Sequence, residues 1–128
     1  AEGPATIISA YIPQGSRNET IDTLRKFVKT VKQDNLLIIG GDFNLHSAPV
    51  SYNTAVDLFC ANNGMISTTN RQEPISTFRQ RHLYTRNDDI LIRHPRIASG
   101  KLTPKIHTKY NFRTAVEHAQ VVLTISAS

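Results

Sequence analysis

The stretch that most constrains the fold of this chain is Leu36-Leu37-Ile38-Ile39-Gly40-Gly41-Asp42-Phe43-Asn44. Four consecutive large apolar residues without alternation predict a strand buried on both faces, as in a sheet covered by helices. Asp42 and Asn44 then follow at the C-terminal end of this strand, where open α/β folds usually bind their ligands. The local pattern leaves an alternative open, in which both are ordinary turn residues that bond their own backbone.

Strand and helix patterns alternate on both sides of this stretch. Residues 5–12 are rich in β-branched residues and predict a strand, while the apolar residues of 17–32 recur at helical spacing after a Ser16–Glu19 capping-box pattern. Strand, helix and strand in succession predict a βαβ unit with two parallel strands. Further predicted elements are a helix capped by Ser51 or Asn53 and ending at 62–64, strands at 65–68, 76–79, 89–93, 106–110 and 119–126, and turn-like segments at 69–74 and 99–104.

Length and composition limit the class of protein. With 128 residues, 39% hydrophobic and 20% charged, the chain is predicted to be one globular domain over residues 1–128. The apolar runs are too short to cross a bilayer, so we predict no membrane partner. A lone Cys60 in an apolar stretch favours a reducing, intracellular compartment. The net charge of +5 is concentrated in the second half, which favours a polyanionic partner, although composition alone somewhat favours a solvated surface that keeps the chain soluble.

Four further short motifs accompany the Gly41-Asp42-Phe43-Asn44 motif, each at the end of a predicted strand. They are Ala10-Tyr11-Ile12-Pro13, Ser76-Thr77-Phe78, Arg86-Asn87-Asp88-Asp89-Ile90-Leu91-Ile92 and Glu117-His118-Ala119. Taken in chain order, with Gly41-Asp42-Phe43-Asn44 second, the five motifs resemble the A-Y-V/I-P, GDFN, P-T-F, R-I-D-Y-I-L-V and S-D-H motifs of the endonuclease/exonuclease/phosphatase superfamily. The resemblance is closest to its retrotransposon branch and covers essentially the whole chain.

The resemblance implies an α/β fold, namely a partial α/β-sandwich of the DNase I-like type with a mixed sheet and helices on one face. Members of the superfamily are about twice as long, so the single domain resembles the C-terminal half of theirs. Their first half supplies an asparagine and the glutamate that is the principal Mg²⁺ ligand. The isolated chain is therefore expected to be an incomplete enzyme.

The resemblance also implies roles for five residues. Tyr11 corresponds to a tyrosine that contacts phosphate, and Asp42 to an aspartate that handles the proton of the nucleophile or leaving group, with Asn44 orienting it. Asp88 corresponds to the aspartate that hydrogen-bonds the catalytic histidine, His118. These roles are chemically reasonable, because a carboxylate-paired imidazole is held in one tautomer and made more basic. Taken singly, each residue also has a bland interpretation as a strand or turn residue.

A metal and a nucleic acid are the implied partners. The resemblance predicts Mg²⁺ or Mn²⁺, with Asp42 and Glu117 as ligands. Glu117 stands where the family has aspartate, and its longer side chain moves the carboxylate by roughly one C–C bond, a displacement that can cost about 100-fold in rate. The predicted contacts to nucleic acid, preferably DNA, are Thr77, Arg79, Arg81 and Arg86.

The predicted function is Mg²⁺-dependent phosphodiester hydrolysis that nicks target DNA, in a nuclear protein whose parent polypeptide includes a reverse transcriptase domain. Two alternatives stay open from sequence. One is a non-catalytic remnant or nucleic-acid-binding module of the same fold, which Glu117 and the missing half favour for the isolated chain. The other is a phosphatase of the same superfamily, against which the basic second half is the only argument.

Overall fold

A computed structural model of the chain describes residues 4–45, 50–71 and 75–127, and the side chains of 50, 70 and 71 are not part of that description. The described strands are β1 (Ala5–Tyr11), β2 (Leu36–Asp42), β3 (Ile66–Ser67), β4 (Phe78–Gln80), β5 (Leu83–Thr85), β6 (Asp88–Arg93), β7 (Leu102–Lys109), β8 (Val116–His118) and β9 (Gln120–Ala127). The helices are α1 (Arg17–Val28), α2 (Val50–Asn63), α3 (Thr68–Arg71) and α4 (Pro95–Ala98), with a 3₁₀ turn at Gln14–Ser16.

The described strands form three sheets. The central one has the order β1-β2-β6-β3, and the others are β5-β4-β8 and β7-β9. Strands β1 and β2 run parallel, as the predicted βαβ unit requires, whereas β6 is antiparallel to both β2 and β3. The central sheet is therefore mixed, and the prediction of an α/β fold with a mixed sheet is confirmed.

Helices α1 and α2 both pack on one face of the central sheet. Leu37 and Ile39 of β2 and Leu91 of β6 are fully buried against them, because these residues point to the same face of paired strands. Leu36 and Ile38 on the other face of β2 are only half-buried. The rest of this core comes from the helices and the segments that lead into them: Ile12, Ile21, Leu24, Val28, Phe43, Leu45, Tyr52, Val56, Phe59, Cys60 and Met65.

The first half of the chain departs from the sequence expectations at helix ends. Helix α1 ends at Val28 instead of residue 32, and the Ser16 side chain makes no capping bond. The Thr20 hydroxyl instead donates to the Ser16 carbonyl. The predicted turn at 69–74 begins with α3, and residues 72–74 lie outside the described part of the chain.

The second half departs from them in its strands. Pro104, which favoured a turn at 99–104, lies inside β7. A proline is tolerated there because β7 pairs with β9 alone among the described strands, so one edge needs no N–H donor. The short strand β5 and helix α4 were not predicted. Helix α4 follows His94, whose ring Nδ1 accepts a hydrogen bond from the Arg96 backbone N–H as a cap.

Across the described ranges, no helix combines the length and the apolar character that a membrane crossing needs.

Candidate active site

Three neighbouring strands bring polar residues to one edge of the central sheet. Tyr11, the last residue of β1, pairs in register with Asp42, the last residue of β2, and Asp42 pairs with Asp88, the first residue of β6. Residues that pair directly across strands present their side chains on the same face. Strand β8 then contributes His118, so residues from four separated segments meet at this edge.

Asp42, Asp88 and His118 form a compact cluster, with one ligand atom from each lying within 4.8 Å of the others. The His118 Nδ1 is 2.9 and 3.0 Å from the two carboxylate oxygens of Asp88. Its Nε2 is 3.8 Å from Asp42 Oδ2, which is too long for a hydrogen bond. The imidazole is thus anchored through one ring nitrogen, while the other faces a second carboxylate across a gap that a bridging oxygen can span.

Burial sets the electrostatics of Asp88. Desolvation raises the pKa of this carboxyl above its usual value, and the hydrogen bond and charge of His118 oppose the rise without cancelling it. The nearby Asp42 charge adds to it. The ionised form of Asp88 therefore depends on the neighbouring His118, and the two side chains act together.

Thr77 is completely buried and holds the backbone segments that carry Asp88 and His118. Its hydroxyl oxygen accepts hydrogen bonds from the backbone N–H groups of Asn87 and Asp88, both at 2.8 Å. Its carbonyl accepts from the N–H of Ala119, the residue after His118, at 2.7 Å. Thr77 was predicted to contact nucleic acid, and the structure corrects this prediction because its side chain is not exposed. Thr77 instead joins the two strand ends that carry Asp88 and His118.

Asp42 and Asn44 partly match the alternative in which both are turn residues that bond their own backbone. The Asn44 backbone N–H donates to Asp42 Oδ1 at 2.9 Å, and the Asn44 side-chain amide donates to the Ile12 carbonyl. Asn44 has a φ of 50°, which asparagine tolerates better than most residues. Asp42 Oδ2 stays directed toward His118, and Tyr11 stands at the rim with 65% of its surface exposed.

Glu117 does not join this cluster. Successive residues of a strand point to opposite faces, so Glu117 lies on the far side of β8 from His118. There its carboxylate accepts from the Arg79 guanidinium at 2.9 Å and from the backbone N–H groups of Phe112 and Asn111 at 2.8 and 3.1 Å. The predictions of Glu117 as a metal ligand and of Arg79 as a nucleic-acid contact are thus corrected, because each is the other's partner and Arg79 is only 7% exposed.

The remaining predicted contacts, Arg81 and Arg86, differ in exposure. Arg81 is exposed at the turn between β4 and β5. Arg86 is half-buried, donates to the Thr69 hydroxyl and lies 3.7 Å from the Asp89 carboxylate. Asp89 itself is buried and accepts from the Ser67 hydroxyl and the Thr69 N–H, so this extra carboxylate faces away from its neighbour Asp88.

The stability of the chain should depend on the ionisation of Glu117. Burial alone would raise the pKa of this carboxyl, but the hydrogen bonds from Arg79, Phe112 and Asn111 lower it overall. A lowered pKa stabilises the fold above the unfolded value of 4.5, and this stabilisation is lost as the pH falls through the folded pKa. We therefore expect melting temperatures to fall on acidification below about 4.5 more steeply than in Glu117→Gln. Equal slopes in both chains would contradict the assignment.

The cluster has a suitable donor set for a hard cation. Mg²⁺ is usually held by one or two carboxylates together with water and substrate phosphates. Asp42 Oδ2 lies 3.8 Å from His118 Nε2, beyond hydrogen-bonding distance, and Asp88 lies in the same cluster. These two residues fit a hydrated Mg²⁺ or Mn²⁺, whereas Glu117 does not.

Comparisons with known proteins indicate the family and the fold of the chain. The family model described as endonuclease-reverse transcriptase matches residues 5–94. The structure is similar to the crystal structure of an endonuclease/exonuclease/phosphatase family protein from Bacteroides thetaiotaomicron, with a TM-score of 0.55, 16% identity, and coverage of 94% of this chain and 49% of that one. This chain thus spans about half the length of that protein, and a search of curated proteins found no match. The chain belongs to the endonuclease-reverse transcriptase family, within the endonuclease/exonuclease/phosphatase superfamily.

Proposed function

We propose that the chain carries the catalytic histidine and two aspartates of a divalent-metal-dependent endonuclease that nicks DNA. The observation that supports this proposal is the cluster of Asp42, Asp88 and His118, in which one imidazole nitrogen is anchored and the other is directed at a carboxylate. His118 is about half exposed, so its imidazole is accessible to a substrate.

The proposed chemistry follows from what each group can do. Asp88 holds His118 by Nδ1, which fixes the tautomer and leaves Nε2 free to exchange a proton with a phosphate oxygen. Asp42 accepts the proton of an attacking water. The water oxygen bonds to phosphorus as the bond from phosphorus to the leaving sugar oxygen breaks, and His118 Nε2 gives a proton to that leaving oxygen. The Tyr11 hydroxyl at the rim donates a hydrogen bond to the phosphate. A Mg²⁺ or Mn²⁺ ion held by Asp42 and Asp88 would supply positive charge to the phosphate oxygens.

A plasmid-nicking assay tests the proposal. Conversion of supercoiled DNA to the open circle by the full-length parent protein should require Mg²⁺ or Mn²⁺, stop on chelation with EDTA, and fall at least about 100-fold in Asp42→Ala and in His118→Ala. Both variants should bind DNA within a few-fold of the original chain, because phosphate contacts need only cations. Asp57→Ala and His107→Ala change exposed residues of the same types outside the cluster and should nick normally. Nicking that survives both cluster substitutions would overturn the assignment.

A second candidate function is a nucleic-acid-binding module without turnover. It is favoured by one observation: Glu117, the residue at the family's acidic motif position, is held by Arg79 and cannot reach the cluster. Salt-sensitive DNA binding by the full-length parent protein, with no metal-dependent nicking at any protein concentration, would select this function.

The family description joins an endonuclease to a reverse transcriptase. On that basis we propose that the parent polypeptide includes a reverse transcriptase domain and that its DNA substrate is nuclear. Sequencing the parent reading frame and locating a tagged full-length protein by microscopy test these two points.

A further inference from the structure

Three aromatic side chains form a row on the face of the β5-β4-β8 sheet opposite to His118. Tyr84 lies opposite Arg79 on the neighbouring strand, and Arg79 lies opposite Glu117. The side chains of Tyr84, Arg79 and Glu117 therefore share one face of the sheet, and the His118 side chain lies on the other face. The ring centroids of Tyr84 and Tyr110 are 5.5 Å apart, and those of Tyr110 and Phe112 are 5.9 Å apart. Phe112 and Tyr84 are 63% and 48% exposed, so the row presents its two ends to solvent.

Phe112 occupies a backbone conformation that a bulky residue rarely adopts. Its φ is +60°, in the left-handed region. The conformation is held by the hydrogen bond from its N–H to Glu117 Oε1, and the neighbouring Asn111 N–H donates to Oε2. Arg79 in turn binds Glu117 and places its guanidinium carbon 4.8 Å from the centre of the Phe112 ring. Strained residues of this kind persist where the surroundings over-determine them, and they cluster at functional sites.

The usual structural reason for an aromatic residue, burial in a core, does not apply to Phe112. Most of its surface remains in water although an ion pair, two backbone bonds and a second ring fix its position. A groove of about 480 Å³ beside it is lined by Arg79, Arg81, His82, Tyr84, Phe112 and Ala115. That volume lies within the range of ligand pockets, about 300–1,000 Å³. An exposed ring beside arginine and histidine suits a flat, apolar group attached to an anion.

We propose that Phe112 and Tyr84 form a stacking site for an unpaired nucleobase of the nucleic acid that the Asp42–His118 cluster acts on. This inference rests on the proposed function and specifies its substrate class as single-stranded or locally unpaired nucleic acid. Nucleobases stack on exposed aromatic rings and arginine planes, while nearby cations follow the phosphates, as Arg81 and His82 would here. Because Glu117 and His118 are consecutive residues, the stacking site and the imidazole are fixed to each other by one strand.

The test compares two labelled oligonucleotides of equal length and charge by fluorescence anisotropy, in EDTA so that no cleavage occurs. One is single-stranded DNA, and the other has abasic sites in place of its bases. We expect the chain to prefer the base-containing strand and Phe112→Ala to weaken that binding about 5- to 150-fold, the effect of one lost stacking contact. The salt dependence should not change, because no phosphate contact is removed. Phe27→Ala removes another exposed phenylalanine, on α1, and should bind normally.

Two further variants separate stacking from folding. Phe112→Gly removes the ring but suits a positive φ, so it should keep or raise the melting temperature while losing the preference for bases. Phe112→Trp should keep the preference. The chain has no tryptophan of its own, so the emission of this residue should be quenched by the base-containing strand and not by the abasic one.

Three other outcomes would overturn the inference, and the measurements distinguish them. Equal binding of both oligonucleotides by the original chain would reject the stacking site and leave the proposed cleavage function standing. Absence of any binding at low salt would reject both together. Concentration-dependent self-association that disappears in Phe112→Ala, with unchanged oligonucleotide binding, would reassign the surface to contact between protein chains.

Discussion

Gly41→Ala is expected to prevent folding of the chain. A Cβ atom built on Gly41 would lie 1.8 Å from the carbonyl oxygen of Ala10 and 2.8 Å from its carbon, and the φ of +151° also disfavours a side chain. Ala10 and Gly41 are register partners in the parallel β1–β2 pair, so relief would require these strands to separate next to Asp42. A clash with backbone belongs among the rare substitutions that cost more than about 4–5 kcal/mol. That is comparable to the total stability of a small domain, about 5–15 kcal/mol.

The adjacent glycine provides the matched control. A Cβ on Gly40 would meet only Ile90 Cγ1 at 3.6 Å, an ordinary van der Waals contact. Gly40→Ala should therefore stay folded, with an urea midpoint close to that of the original chain. Circular dichroism and urea unfolding distinguish the two variants. A cooperative transition in Gly41→Ala close to that of Gly40→Ala would show that the two strands are not as close as the structure places them.

The elements that the sequence predicted correctly are those with strong local patterns. The apolar run of β2, the helical spacing of α1 and the glycine that follows α2 each act within one turn or one strand. The errors lie where tertiary contacts decide. Pro104 is accepted in β7 because of where its partner strand lies, and β5 is short enough that its pairing with β4, not its own composition, defines it.

The candidate site divides in the same way. The resemblance of the ordered motifs to the superfamily predicted that Asp42, Asp88 and His118 belong together, and in the structure they lie within 4.8 Å of one another. The pairing of Arg79 with Glu117 was missed, because it depends on the register of β4 against β8 across 38 residues. Alternation along β8 was the available signal, since it requires Glu117 and His118 to face opposite ways. The same reasoning applied to Asp88 and Asp89 would have separated the site carboxylate from the buried one.

Asp88→Asn should reduce DNA nicking about 10²- to 10⁴-fold if the proposed function holds, the range typical of general acid–base groups. Asparagine has nearly the same shape but carries no charge, so it cannot stabilise a protonated His118. Its amide can also donate to Nδ1, which would hold the ring in the wrong tautomer. Nicking rate per folded molecule, measured against single-stranded binding, isolates this effect from any loss of fold.

The effect of Asp88→Asn on stability has a defined sign. Because the pKa of Asp88 is raised, its contribution to stability is full below the unfolded value of 3.8 and is lost as the pH rises through the folded pKa. Replacing it should therefore lower the melting temperature less at pH 7 than at pH 3. A larger loss at pH 7 would mean that the Asp88–His118 ion pair, and not burial, dominates.

Asp89 follows Asp88 on β6 and tests whether nicking depends on negative charge on this strand or on charge within the cluster. Asp89 is bonded to Ser67 and Thr69 on the side away from His118 and lies 3.7 Å from Arg86. Asp89→Asn should consequently lower the urea midpoint, because it leaves a half-buried arginine without its charged partner. Its nicking rate per folded molecule should stay near that of the original chain. If Asp89→Asn instead impairs nicking as strongly as Asp88→Asn does, catalysis depends on the net negative charge of the strand, and the specific pairing of Asp88 with His118 is not the source of the activity.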